Sequence, residues 1–157
     1  MSTAPAENRT AASDWAFFVA LMATAFAMAG ALAHALELPN KMALGRDAYF
    51  TVQKIYSGWN QLAYVLALEL IGMLAVIYLH RRQRRVWIPA LAALAGLVAA
   101  QILFWTYTFP ANRATGNWVL QPQNWEVLRR EWEYSHFAGA LCQTWAMGAL
   151  VIAALRR

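Results

Sequence analysis

His34-Ala35-Leu36-Glu37-Leu38-Pro39-Asn40-Lys41 closes a long apolar run and sets an imidazole and a carboxylate three residues apart. Residues three apart share a face of a helix. Proline has no N–H and restricts the residue before it, so the expected helix stops at Pro39. Two ionisable side chains then stand side by side where an apolar helix meets its loop. Glu133-Tyr134-Ser135-His136 repeats the pair in reverse order, at the start of the last apolar run. Charged groups at such positions are costly and need a partner or a function.

Outward from these two stretches, the composition is that of a membrane protein. Of 157 residues, 61% are hydrophobic and only 13% charged, and the charges gather between four long apolar runs. The expected fold is all-α: a four-transmembrane-helix bundle with helices at 15–38, 59–79, 87–109 and 134–155. Each run crosses, or nearly crosses, a hydrocarbon core of roughly 30 Å at about 1.5 Å per residue. Residues 15–157 form one integral membrane domain behind a polar tail, 1–14, in which Ser13 or Asp14 can cap the first helix. Ala31-Leu32-Ala33 has the look of a cleavage site, but the apolar run is too long, and the region before it too weakly basic, for a signal peptide. The net charge of +5 belongs to loop arginines beside a bilayer and does not point to nucleic acid. The expected partners are the lipid bilayer and a hydrophobic small molecule. Cys142, the single cysteine, sits in an apolar run as a small core residue.

The connections set the expected topology. Residues 39–58 make a loop in which Phe50, Ile55, Tyr56 and Trp59 offer an apolar side, so a short helix packed over the bundle mouth or lying at the membrane interface is expected. His80-Arg81-Arg82-Gln83-Arg84-Arg85 is the densest basic turn, which places it and both termini in the cytoplasm of a multi-pass protein of the bacterial cytoplasmic membrane. His80 reads there as a solvated or headgroup-facing residue. The third run carries Pro89 in its first turn, where proline is tolerated. It ends at Phe109-Pro110-Ala111-Asn112-Arg113. The halves are similar helical hairpins, each with Pro and Asn, a polar-aromatic loop and a Trp before its second helix. Both outer loops, with short helical or irregular segments, therefore lie on the side away from the arginine turn.

That side collects the residues able to do chemistry. His34, Glu37, Glu133 and His136 are expected to converge there, with Glu69 about 15 Å deeper in the second helix. These five are the candidate catalytic residues. Asn40, Tyr56, Trp59, Asn112, Arg113, Arg129 and Trp132 are the candidate substrate contacts. Arg113, Arg129 and Arg130 can also pair with Glu126, Glu131 or Glu133. Three readings of the pairs stand side by side. Glu-x-x-His on a bundle helix is a di-iron ligand pattern, which would make His34, Glu37, Glu133 and His136 metal ligands. A His–Glu pair in low dielectric can also serve as a base without metal. The pairs can equally cap helix ends and anchor loops.

The stretches HALELPNK, VQKIYSGW, TFPANRATGNW and NWEVLRREWEYSH resemble the anthrone-oxygenase-like family of small membrane proteins, catalogued mainly as a domain of unknown function. The resemblance runs from the first helix to the last. Its marks are Pro110 and Asn112, then Trp125, Leu128, Arg129 and Trp132, with His136 at the family's usual histidine position. It implies a four-helix membrane fold and oxygenation of aromatic anthrones to anthraquinones without metal or flavin. HALELPNK and EWEYSH depart from the polyketide enzymes of the family. The sequence thus leaves a membrane-embedded oxygenase or related redox enzyme for an aromatic molecule. Against it stands a non-catalytic membrane subunit or a protein that binds a small molecule or a metal.

Overall fold

A computed structural model of the chain describes residues 10–157; most of the polar tail lies outside the described residues. Among those described, the protein is all-α. α1 spans Ala11–Ala43, α2 Arg46–Gln53, α3 Leu62–Leu79, α4 Arg84–Leu103, α5 Phe109–Ala114 and α6 Trp125–Leu155. Single 3-10 turns occupy Lys54–Tyr56 and Trp59–Gln61, and a π-turn occupies Phe104–Thr108. Four segments are long and apolar enough to cross a membrane: Ala11–Ala43, Trp59–Leu79, Arg84–Ala114 and Trp125–Leu155. The chain is a multi-pass integral membrane protein.

Three helices are longer than expected, and each extension has a physical reason. α1 does not stop at Pro39 but runs through it to Ala43. Proline removes one N–H, and membrane helices tolerate that loss where neighbouring groups satisfy the freed backbone. Thr10, not Ser13 or Asp14, caps the other end of α1, its hydroxyl accepting from Ser13 N at 3.3 Å. The third membrane segment, α4 continued by the π-turn and α5, does not end at Pro110 either. The wide π-turn, closed by Phe109 N–H on Phe104 O, lets the helix pass Pro110, whose ring would clash with a carbonyl of a regular preceding turn. α6 begins at Trp125, nine residues before the apolar run. Trp125, Leu128 and Trp132 are buried at helical spacing, so the extension is an amphipathic helix rather than a loop.

α1 packs against α3 and α6, and α4 packs against α6 and α3. The first and last membrane helices are therefore neighbours, which brings His34 and His136 together. Close packing rests on small residues, as in other membrane bundles. A Cβ on Gly72 of α3 would lie 2.7 Å from Ala20 N of α1, and one on Gly96 of α4 would lie 2.9 Å from Cys142 O of α6. This bundle core, built from Ala16, Phe17, Ala20, Met73, Ala93, Leu97, Ala146 and Leu150 among others, is separate from an aromatic core. The second core joins Tyr49 and Phe50 of α2 to Trp118, Trp125, Leu128 and Trp132. α2 is the short helix expected in the first loop, and it packs against Trp118 of the second outer loop and the first turns of α6.

Candidate functional site

α1 carries the site because it passes Pro39. The extra turn puts Lys41 on the face of His34 and Glu37, seven and four residues on. α6 supplies the opposite wall, where its early start brings Trp132 and Glu133 in register with His136. α2 lays Tyr49 and Gln53 across the top.

The two histidines stack. Their ring centroids are 4.2 Å apart, with the planes tilted by 51°. His136 Nδ1 lies 2.8 Å from Trp132 O; a carbonyl only accepts, so Nδ1 donates. A neutral imidazole has one donor and one acceptor, which leaves the lone pair on His136 Nε2. His34 is buried inside an aromatic box. Tyr56, Trp59 and Trp132 stand 4.5, 5.2 and 5.0 Å from its ring, with His136 as the fourth wall. Its Nδ1 is buried and has no hydrogen-bond partner.

Beside the box runs a chain of charged groups. Lys41 is only 3% exposed, and its Nζ lies 3.0 Å from Glu133 Oε2 and 3.5 Å from Glu37 Oε2. The ammonium donates to Tyr56 Oη at 3.1 Å and stands 4.7 Å above the Trp132 ring. Tyr56 Oη donates in turn to Glu37. The second oxygen of Glu133 accepts from Tyr49 Oη at 2.9 Å and from Gln53 Nε2 at 3.3 Å. Burial pushes the Tyr49 hydroxyl above its ordinary range, and the Glu133 charge adds to that. Burial, and then the bond to Glu37, do the same for Tyr56. Both phenols therefore remain O–H donors. A buried ion pair holds only when its remaining atoms are also hydrogen-bonded, and this one is bonded on both sides.

The sequence candidates divide. His34, Glu37, Glu133 and His136 come to one place, though the carboxylates face Lys41 while the histidines face each other. Tyr56, Trp59 and Trp132 wall the box. Asn112 acts from behind it: its Oδ1 accepts from the indoles of Trp132 at 2.9 Å and Trp118 at 3.0 Å. Trp118 holds a left-handed backbone, φ 65°, which its burial and these bonds keep in place. Arg129 is a clamp, donating to Leu44 O at 2.8 Å and stacking on Trp125 at 4.6 Å, rather than a partner of a glutamate. Asn40 and Arg113 are exposed, and among the described residues no hydrogen bond or ion pair joins their side chains to the cluster. Glu69 is buried within the bundle, where Gln143 Nε2 donates to it at 3.3 Å and Thr24 stands beside it. Thr24 lies ten residues from His34 along α1, about 15 Å, so Glu69 belongs to a separate place. His80 is buried, not solvated. Its ring nitrogens meet Ser13 Oγ at 3.1 Å and Val76 O at 3.0 Å.

Lys41, Tyr49 and Gln53 were not singled out by sequence. Lys41 had a signal, since it follows Glu37 by four residues, but reading Pro39 as a stop removed it from the helix. No set of three or more His, Cys, Asp or Glu side chains among the described residues is arranged to hold a metal ion. The position between the two carboxylates is taken by the Lys41 ammonium. Two open grooves run elsewhere: one along Trp15, Phe18 and Leu21 with Arg157, the other along Leu103, Tyr107, Arg130 and Tyr134. No family model, curated protein or solved structure matches the chain.

Proposed function

We propose that this protein is a membrane-embedded oxygenase that removes a proton from a hydrophobic aromatic molecule, in the manner of the anthrone-oxygenase-like family it resembles. The observation that carries the reading is the histidine pair. Two imidazoles stack in an aromatic box at the bundle mouth, one with a buried, unpartnered nitrogen and the other with its lone pair fixed on Nε2. A base needs such a lone pair within reach of the substrate proton. In the proposed reaction an imidazole takes a proton from the activated CH2 of an aromatic ketone. The electron-rich carbanion then bonds to O2, and the imidazolium returns its proton to the resulting peroxide. Loss of water, by breaking the O–O bond and the remaining C–H bond, leaves a new C=O. One oxygen atom is retained and the other departs as water. Lys41 supplies positive charge beside the box while its carboxylate partners keep it in place. The arginine turn and both termini face the cytoplasm of a bacterial cell in this reading, and the box lies at the other side.

The test uses the purified protein in nanodiscs with anthrone under 18O2. The expected product is anthraquinone with one labelled oxygen, formed faster than in empty nanodiscs. His136→Gln and His34→Gln should each slow it by about a hundredfold or more. A wild-type rate equal to that of empty nanodiscs overturns the reading. One observation favours a second, non-catalytic role as a small-molecule-binding subunit: neither open groove reaches the box, and His34 Nδ1 is sealed. That role predicts ligand binding with no turnover.

A further inference from the structure

The histidine box has one wall unlike the others. Trp132 is buried and pinned through its indole N–H to Asn112, and Tyr56 is held by Lys41 and Glu37. Trp59 is 37% exposed, and its indole N–H makes no hydrogen bond among the described residues. It begins a single 3-10 turn directly after Gly58, whose φ of 90° few other residues adopt. Its ring edge lies over Gly30, where a Cβ would sit 3.7 Å from Cζ3 and 3.5 Å from Leu62. A methyl group at 30 would make ordinary contact with the indole. Trp59 is thus the least anchored wall, and its ring lies 5.2 Å from that of His34, whose Nδ1 has no hydrogen-bond partner among the described residues.

A buried polar atom without a partner costs free energy and calls for an explanation. At His34 the surroundings are aromatic faces, which cannot complete a hydrogen bond to a ring lone pair. We infer that the box is a binding site for an aromatic molecule bearing a hydroxyl, whose O–H donates to His34 Nδ1 after the Trp59 indole swings aside at Gly58. The inference rests on the proposed role of the pair in one respect, that His34 Nδ1 presents its lone pair. Flat ring surface on the ligand replaces indole surface against Tyr56 and Trp132, so stacking is retained when the wall moves. A carboxylate-bearing ligand does not fit as well, because Glu37 and Glu133 already surround the only buried ammonium among the described residues.

The probes are 1-naphthol and 1-methoxynaphthalene, which share a ring system and differ in the donor. Binding is measured by calorimetry on the wild-type protein in nanodiscs, with empty nanodiscs as the partition reference. Naphthol is expected to bind at least about fivefold tighter than the ether after that reference is subtracted. In 15N-histidine spectra it should shift a single imidazole nitrogen, assigned to His34 by its absence in His34→Leu. His34→Leu should remove the preference while still binding both probes. Trp59→Ala should keep the preference and speed association several-fold. Equal affinity for the two probes in the wild-type protein, with no histidine shift, overturns the inference, and that result needs no variant. The outcome is separable from turnover. Preference for naphthol without anthrone oxidation keeps the site and removes the oxygenase. Anthrone oxidation without the preference does the reverse.

Discussion

The two ends of the bundle handle charge in opposite ways. At the arginine end, Arg81, Arg82, Arg84, Arg85 and Arg156 are exposed. His80, buried there, uses both ring nitrogens, and the partly exposed Arg157 pairs with Asp14 at 2.7 Å. At the loop end, Lys41, Glu133 and His34 are all buried, and one histidine nitrogen has no partner. The first end ties the start of α1 to the α3–α4 turn and to the carboxyl terminus. The second holds a cation between two carboxylates and keeps an imidazole dry beside it. A satisfied network fixes structure, whereas a costly, incompletely satisfied one marks the place where a ligand completes it.

The largest expected effect breaks the loop end outright. Lys41→Met removes the ammonium and leaves Glu133 buried beside two donors but without its counter-charge. Loss of one partner of a buried pair costs about 3–5 kcal/mol, so unfolding in mild detergent should shift by that amount. Adding Glu133→Gln should restore much of it. A single variant as stable as the wild type would mean that water reaches the pair.

Alkaline pH sharpens the comparison next. Tyr49 ionises above its ordinary value in the folded protein because it is buried against Glu133. The unfolded chain releases that proton near pH 10 while the folded one retains it, so stability is intact below about 10 and falls above it. The slope contributed is about 1.4 kcal/mol per pH unit for this group, and Tyr49→Phe should remove it. An unchanged slope in the variant would place the alkaline loss elsewhere.

Phenylalanine at each buried histidine compares the two ends directly. His80→Phe strands Ser13 Oγ, and His80 also bonds Val76 O, so a loss of about 1–3 kcal/mol is expected. His34→Phe keeps a ring in the box and deletes an unpartnered nitrogen. Its stability should fall less than that of His80→Phe or rise, because no hydrogen bond of His34 Nδ1 is lost. Equal losses at both positions would erase the distinction between the ends. The smallest effect is Arg157→Gln. Asp14 is nearly half exposed, and such a pair contributes under about 1 kcal/mol, so the melting temperature should move little.

Much of the fold was legible along the chain. Four long apolar runs, nearly free of charge, between clusters of arginine, asparagine and tryptophan specify membrane helices, because hydrocarbon excludes charge and unpaired backbone alike. The i, i+3 spacing of His34 with Glu37 and of Glu133 with His136 specified two side-chain pairs, since helical geometry is local. Helix ends were legible only in part. Pro39 and Pro110 read as stops, yet α1 and the α4–α5 segment pass them. A proline's effect depends on whether neighbours supply the lost bond or a π-turn moves the clashing carbonyl, and neither is a property of the residue.

The sequence by itself determined that four apolar spans exist, that both outer loops lie at the end away from the arginine turn, and which residue types gather there. The tertiary structure decided who meets whom. Only the adjacency of α1 and α6 brings His34 onto His136, and only α2 folding back delivers Tyr49 and Gln53 to Glu133 across about 80 residues. It also separated Glu69 from the cluster and took Asn40 and Arg113 out of it. Local periodicity fixes which face a residue occupies along its own helix. Which other helix covers that face depends on packing of small residues such as Gly72 and Gly96 against their neighbours, a fit between distant segments that no local pattern encodes.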